Sequence, residues 1–201
     1  MILPIVKYGH PVLRQRGKRI ETVTPQIREL AASMLETMRA ANGVGLAAPQ
    51  VGESLMLLVV DVSEAERPSS MQIAGQDVDV AAHMPLVLVN PLLSEPSGEE
   101  IGGEGCLSFP GISADITRAE AITVTATDLD GQSLRFRCSG LLARAIQHEV
   151  DHLHGVLFTD RMDSATKVSL SGALKRLQKE TQAALGPARK RGLRGLMAAR
   201  G

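Results

Sequence analysis

The chain has 201 residues, 44% of them hydrophobic and 22% charged, with a formal net charge of zero. These are the figures of one soluble globular domain with a single sizeable core, and no apolar run approaches the roughly 20 residues that span a membrane. Two cysteines are too few for a disulfide framework and point to a reduced, cytoplasmic protein, a single Cys106–Cys138 bridge being the alternative.

In chain order, residues 1–7 have no basic region ahead of their short apolar run and do not read as a secretory signal. Thr24 is placed to cap a helix with Pro25 at its first position. Ile27, Leu30, Ala31, Met34, Leu35 and Met38 then recur at helical spacing until Asn42-Gly43 ends it. Residues 43–50 are too rich in small side chains for a regular surface helix. The apolar run at residues 55–61 predicts a buried strand. Residues 63–84 carry no pattern and read as a long surface loop or an insert. Residues 86–90 predict another strand, ended by Pro91. Residues 122–127 and 134–137 alternate on either side of Asp130-Gly131, which predicts a hairpin.

A helix is expected from about residue 139 or 140 to Gly155, with Leu142, Ala145, Ile146, Glu149 and Val150 facing inward. A last one at residues 164–185 carries Val168, Ala173, Leu174 and Leu177 ahead of Gly186-Pro187. Strands and hairpins with separate helices predict an α+β domain over residues 1–185. Residues 186–201 form a basic tail in which Arg189, Lys190, Arg191, Arg194 and Arg200 meet no acid, so the rest of the chain carries the balancing negative charge. Such a tail reads as a solvated terminus or as a patch that meets phosphate, for instance on RNA.

The most informative segment is Gln147-His148-Glu149-Val150-Asp151-His152. Histidines four apart on a helix share a face about one turn apart, a spacing at which two neutral imidazoles can hold one metal ion. The glutamate beside the first can take a proton from a water at that site, an arrangement known as a zinc-hydrolase signature. The plain alternative is an amphipathic helix with charges on its wet face. A catalytic metal wants a third protein ligand. Downstream, His154 points to another helix face, and Glu180 lies on a helix read as exposed. The third ligand is therefore sought upstream, where Glu104-Gly105-Cys106-Leu107-Ser108 offers a cysteine flanked by glycine. Thiolate with two imidazoles suits Fe(II), Zn(II), Co(II) or Ni(II) better than Mg or Ca. Cys106 read as a small buried hydrophobe, like Cys138, is the alternative.

Gly43-Val44-Gly45-Leu46-Ala47-Ala48-Pro49-Gln50, the EGCLS run at residues 104–108 and the QHEVDHLHG run at residues 147–155 together resemble the three motifs of the peptide deformylases. These enzymes remove the formyl group from the N-terminal methionine of newly made bacterial proteins. Asp61, Asn90-Pro91, residues 128–131 and the opening residues 5–14 are also similar to the family, and the resemblance covers roughly residues 3 to 165. It implies an α+β fold with antiparallel and mixed β-sheets around a central HExxH helix, with an N-terminal and a C-terminal helix.

The resemblance also implies roles. Cys106, His148 and His152 would hold one divalent metal ion, Fe(II) in the cell, with Zn, Ni or Co possible. Glu149 would be the general base, and Gln50 with the Leu107 N–H would bind the oxyanion. Val44, Gly45, Gly105, Leu141 and Ala145 would contact substrate. Its substrates would be formyl-methionyl nascent peptides, with the basic tail docking near the ribosomal exit tunnel and neither membrane nor other stable nucleic-acid binding. Gln50 taken alone would be read as a solvent-facing loop residue, and the pocket positions as ordinary core. Arg144 is given no catalytic role.

Two departures concern peptide affinity and specificity. Gly103, preceded by Gly102, stands where many members have an acid, and residues 111–115 lack an arginine that often faces substrate. Three other readings remain: an HExxH metallopeptidase, which would need a downstream third ligand; a non-catalytic deformylase-like protein, whose mark would be a change at Glu149 or Gln50; and an RNA-binding module on the tail, which would need base-stacking aromatics where the chain has no Trp, one Tyr and three Phe.

Overall fold

The computed structural model describes residues 1–186. Helix α1 (Pro25–Ala40) begins as expected, with Thr24 Oγ1 accepting the Ile27 N–H and Pro25 in the first turn. The strands follow: β1 (Gly45–Ala47), β2 (Leu57–Val60), β3 (Ser69–Ile73), β4 (Gln76–Val78), β5 (Leu86–Ser97), β6 (Glu100–Gly105), β7 (Ser113–Arg118), β8 (Ala121–Thr127) and β9 (Ser133–Ser139). Helices α2 (Gly140–Leu153), α3 (Phe158–Arg161) and α4 (Ser164–Leu185) complete the order. Among the described residues the strands form a seven-stranded sheet, β1-β2-β5-β8-β9-β3-β4, and a two-stranded sheet of β6 and β7.

The α+β class is as expected, but the sheets are not mixed. Every ladder is antiparallel, and parallel pairing among the described residues is confined to one isolated bridge, Lys18–Leu55. No strand here is followed by the helical crossover that a parallel pair requires.

Strand β2 explains its own unbroken apolar run. Leu57 and Val59 pack with Met34 and Met38 of α1, while Leu58 and Val60 pack with Leu142, Ile146 and Val150 of α2. A strand covered on both faces has no polar face to show in its sequence. A third cluster joins Val12, Leu13, Phe109, Ile116 and Phe158 to Leu174 and Leu177 of α4. In it Tyr8 stacks on Phe109 and Phe109 meets Phe158 edge-on, with ring centroids 4.7 and 4.9 Å apart.

Three expectations are corrected. Residues 63–84 are not a structureless loop, because β3 and β4 extend the sheet beyond β9, with Met71 opposite Cys138. Met71 is the buried residue of β3, and one inward side chain is too few to show a period of two. Pro91 does not end its strand. Asn90 adopts φ 52°, and the register shifts between Val89 and Leu92, so the proline sits in a bulge where no ladder N–H is needed. The Asn90 amide meanwhile holds the backbone of Ile20, accepting its N–H at 2.9 Å and donating to its carbonyl at 2.8 Å. The hairpin of β6 and β7 had no readable alternation because Gly102, Gly103 and Gly105 interrupt it. Val168 of α4 is 74% exposed and not part of the core.

Both cysteines are free, so the Cys106–Cys138 bridge is not formed. Cys138 is a buried small hydrophobe whose thiol is pushed up to about 12 by burial. Among the described residues, no helix is long and apolar enough to cross a membrane.

The start of α2 matters most for the site. Gly140 has φ 67°, and a Cβ there would lie 2.3 Å from the Pro68 carbonyl oxygen. Gly140→Ala is expected to destabilise the protein by about 2 kcal/mol or more, since a left-handed residue and a backbone clash would coincide. Denaturant unfolding checks this, and a midpoint equal to the wild type would show that the close approach relaxes freely.

Candidate active site

Helix α2 places His148 and His152 on one face, their ring centroids 5.0 Å apart. Strand β6 ends at Gly105, and Cys106 follows directly, turned towards the same helix. The ligand atoms of Cys106, His148 and His152 lie within 4.8 Å of one another, with Cys106 Sγ 3.3 Å from His152 Nε2. His148 Nδ1 is engaged by Glu104 Oε2 at 2.9 Å, which leaves its Nε2 available as a ligand atom. One sulfur and two imidazole nitrogens at this separation fit a single borderline-soft transition-metal ion. Burial pushes His152 well below its ordinary value. For His148 burial acts in the same direction but is outweighed by hydrogen bonds with Cys106 and Glu104, and its pKa is raised.

Gln50 arrives from the other side, on the short 3₁₀ turn Ala48–Val51 that follows β1. It is 1% exposed, which removes the reading of a solvent-facing glutamine. Its Oε1 accepts the Ala47 N–H at 2.8 Å, fixing the amide so that Nε2 faces Cys106 Sγ at 3.5 Å and Ser108 Oγ at 3.4 Å. Leu107 borders the same space, and its carbonyl accepts from Lys7 Nζ at 2.9 Å.

Glu149 is 5% exposed, and burial pushes its carboxyl up to about 7. Its Oε2 has no hydrogen-bond partner. A carboxyl poised near neutrality with a free oxygen is suited to accept and return a proton. The carboxyl lies directly against Gly45, where a Cβ would come within 2.6 Å of Glu149 Oε1. The glycine is therefore needed by the position of Glu149, a requirement independent of any substrate.

These groups border a cleft of about 710 Å³. Every metal, catalytic and substrate-contact candidate named from the sequence lines it except His152, which is 1% exposed.

An ionic network missed by sequence reading underlies the cleft. Glu104 accepts two parallel hydrogen bonds from Arg118 Nε and Nη2, both 2.9 Å, and a third from Arg144 Nη1 at 2.9 Å. Arg118 Nη1 also pairs with Asp151 of α2 at 2.5 Å, and Asp151 holds Arg161. Burial alone would raise the Glu104 carboxyl, but the hydrogen bonds from Arg118 and His148 bring it down to about 2. Arg144 also donates to the Ile116 carbonyl at 2.9 Å and the Glu100 carbonyl at 2.7 Å. The network locks β6, β7 and α2 together, so the cysteine and the two histidines are held by one framework. The letters of Glu104 and Asp151 lay inside the motifs, but their arginine partners are 10 to 40 residues away, and nothing in the spacing marks them.

The chain is similar to known proteins in sequence and in fold. The sequence profile of the polypeptide deformylase family matches residues 2–168. A peptide deformylase of Dictyoglomus thermophilum is 47% identical over 161 residues, which are 80% of this chain and 93% of that one. One of Methylacidiphilum infernorum is 44% identical over 179 residues, 89% of this chain and 94% of its own. The crystal structure of peptide deformylase from Thermus thermophilus superposes with a TM-score of 0.76 at 37% identity, covering 90% of this chain and 99% of that one.

Proposed function

The chain belongs to the polypeptide deformylase family, and from that premise we infer that the cleft beside α2 is where formyl-methionine is hydrolysed. The protein is an enzyme, a hydrolase that removes the formyl group from the N-terminal methionine of newly made proteins and releases formate. The reaction requires a divalent metal ion. The observation that carries the assignment of the site is the cluster of Cys106, His148 and His152, with ligand atoms within 4.8 Å and Glu149 buried beside it.

In our reading, Cys106, His148 and His152 hold one ion, Fe(II) in the cell, with Zn, Ni or Co able to take its place. Such an ion supplies Lewis acidity, lowering the pKa of a water and polarising a carbonyl oxygen. Glu149 takes the proton of the attacking water and passes it to the leaving amine. Gln50 Nε2 and the Leu107 N–H donate to the formyl oxygen as negative charge develops on it, and Gln50 is already fixed for this by its bond with Ala47. Val44, Gly45 and Gly105 flank the peptide, which lies as an added strand, while Leu141 and Ala145 receive the methionine side chain.

We treat residues 1–185 as one catalytic domain with α2 at its centre, working in the cytoplasm. The basic residues from Arg189 to Arg200 are assigned to docking on the ribosome on charge alone, and they lie outside the described residues.

Formate release from a formyl-Met tripeptide by anaerobically purified protein, with and without added Fe(II) or Ni(II), tests this reading. Metal-dependent release, with no internal cleavage of the unformylated peptide, is the expected result. Internal cleavage would favour a metallopeptidase. No release with metal bound would favour a non-catalytic member.

A further inference from the structure

Arg67 stands on the wall of the same cleft. It comes from the connection between β2 and β3, and the two residues after it are pinned to α2. The Pro68 carbonyl accepts the Leu141 N–H at 3.1 Å, and Ser69 Oγ accepts the Leu142 N–H at 3.0 Å. Both are helix-start donors that would otherwise be unsatisfied. From this anchored point the Arg67 side chain reaches β6, where Nη2 donates to Glu100 Oε1 at 3.1 Å. Strand β6 leaves it room, because a Cβ on Gly102 would lie 3.1 Å from that same nitrogen.

The charges around Arg67 do not balance. Glu100 is shared, its Oε2 facing Arg144 Nη2 at 3.4 Å. Arg144 is bound to Glu104, Glu104 to Arg118, Arg118 to Asp151 and Asp151 to Arg161. From Arg67 to Arg161, four guanidinium groups alternate with three carboxylates, an excess of one positive charge. At the cleft end Arg67 is 42% exposed, whereas Arg118 and Arg144 are each 3% exposed. Of the other cationic side chains on the wall, Arg144 is buried within the network and Lys7 is committed to the Leu107 carbonyl. The part of the wall built from Gly111, Ile112 and Ser113 brings no charge.

We propose that Arg67 is a specificity-determining residue that pairs with a carboxylate side chain of the formyl-methionyl peptide, beyond its methionine, so that acidic residues there are preferred over basic ones. This rests on the deformylase reading of the cleft. Arg67 keeps further N–H groups beyond its single bond to Glu100, and a guanidinium can engage a second carboxylate without releasing the first. An ion pair at a part-exposed site is modest and screened by salt, so the preference is about fivefold and falls as ionic strength rises.

The test compares kcat/KM for C-terminally amidated formyl-Met tripeptides carrying Glu or Lys in both positions after methionine. Amidation removes the terminal carboxylate as a competing partner. Wild-type enzyme is expected to favour the Glu peptide about fivefold, chiefly through KM, as the size of one such pair implies. Arg67→Ala should bring the ratio close to one, Arg67→Glu should reverse it, and Arg67→Lys should keep the preference for Glu. A role confined to holding Glu100 in place would lower activity on both peptides equally and leave the ratio unmoved. A wild-type ratio near one, or a ratio that survives Arg67→Ala, would overturn the assignment. No formate from either peptide would overturn the deformylase reading itself, and the role of Arg67 with it.

Discussion

Replacing Glu149 with alanine is expected to lower formate release by about a thousandfold, the middle of the range for loss of a positioned general base, without changing metal content. The carboxyl is buried and held near 7 with one oxygen unpartnered, so its proton is exchangeable at neutral pH. No other carboxylate on the cleft wall can stand in, because Glu104 is bound to Arg118, Arg144 and His148. Stability should be retained, since the substitution removes a buried ionisable group whose Oε2 has no hydrogen-bond partner. Formate release at the wild-type rate would remove Glu149 from the mechanism. Loss of bound metal together with activity would assign it as a ligand instead.

Glu104→Ala should be the most damaging single substitution for the framework of the site. It leaves Arg118 and Arg144, each 3% exposed, without the carboxylate they share. Removing one member of a buried ion pair costs about 3–5 kcal/mol, because the remaining charge has no water to return to. It also deprives His148 Nδ1 of its acceptor, and loss of such an outer partner weakens metal binding by about 10- to 100-fold. Denaturant unfolding and a competitive metal titration would measure the two effects separately. A variant as stable as the wild type, with unchanged metal affinity, would show that the network does not hold the centre.

The parts of this protein that were legible in its sequence are those whose physics is local. The bounds of α1 came from a threonine cap, a following proline and a 3.6-residue stripe, all within one segment. The β8–β9 hairpin came from alternation around Asp130-Gly131. His148 and His152 declared themselves by four-residue spacing, whereas the choice of Cys106 rested on elimination and on the likeness of three short motifs to one family.

What failed to show depends on distant partners. Strand β3 is recognisable only once β9 lies beside it, and Pro91 is tolerated within β5 only because Asn90 turns into a bulge. Arg118 carried no signal in the sequence and Arg144 was given no catalytic role, yet they neutralise the glutamate that orients a candidate ligand. Gly45 was read as a substrate contact, and its steric fit against Glu149 needed coordinates.

The central claim is that Cys106, His148 and His152 together hold one metal ion and that this ion is required for deformylation. The most direct measurement is an anaerobic titration of metal-free protein with Co(II), following thiolate-to-cobalt charge-transfer absorption and formate release in the same samples. The account predicts that both rise together and level off at one equivalent per chain, and that Cys106→Ser abolishes the charge-transfer band. Full formate release from metal-free protein, or one tightly bound equivalent with no thiolate band in the wild type, would contradict it.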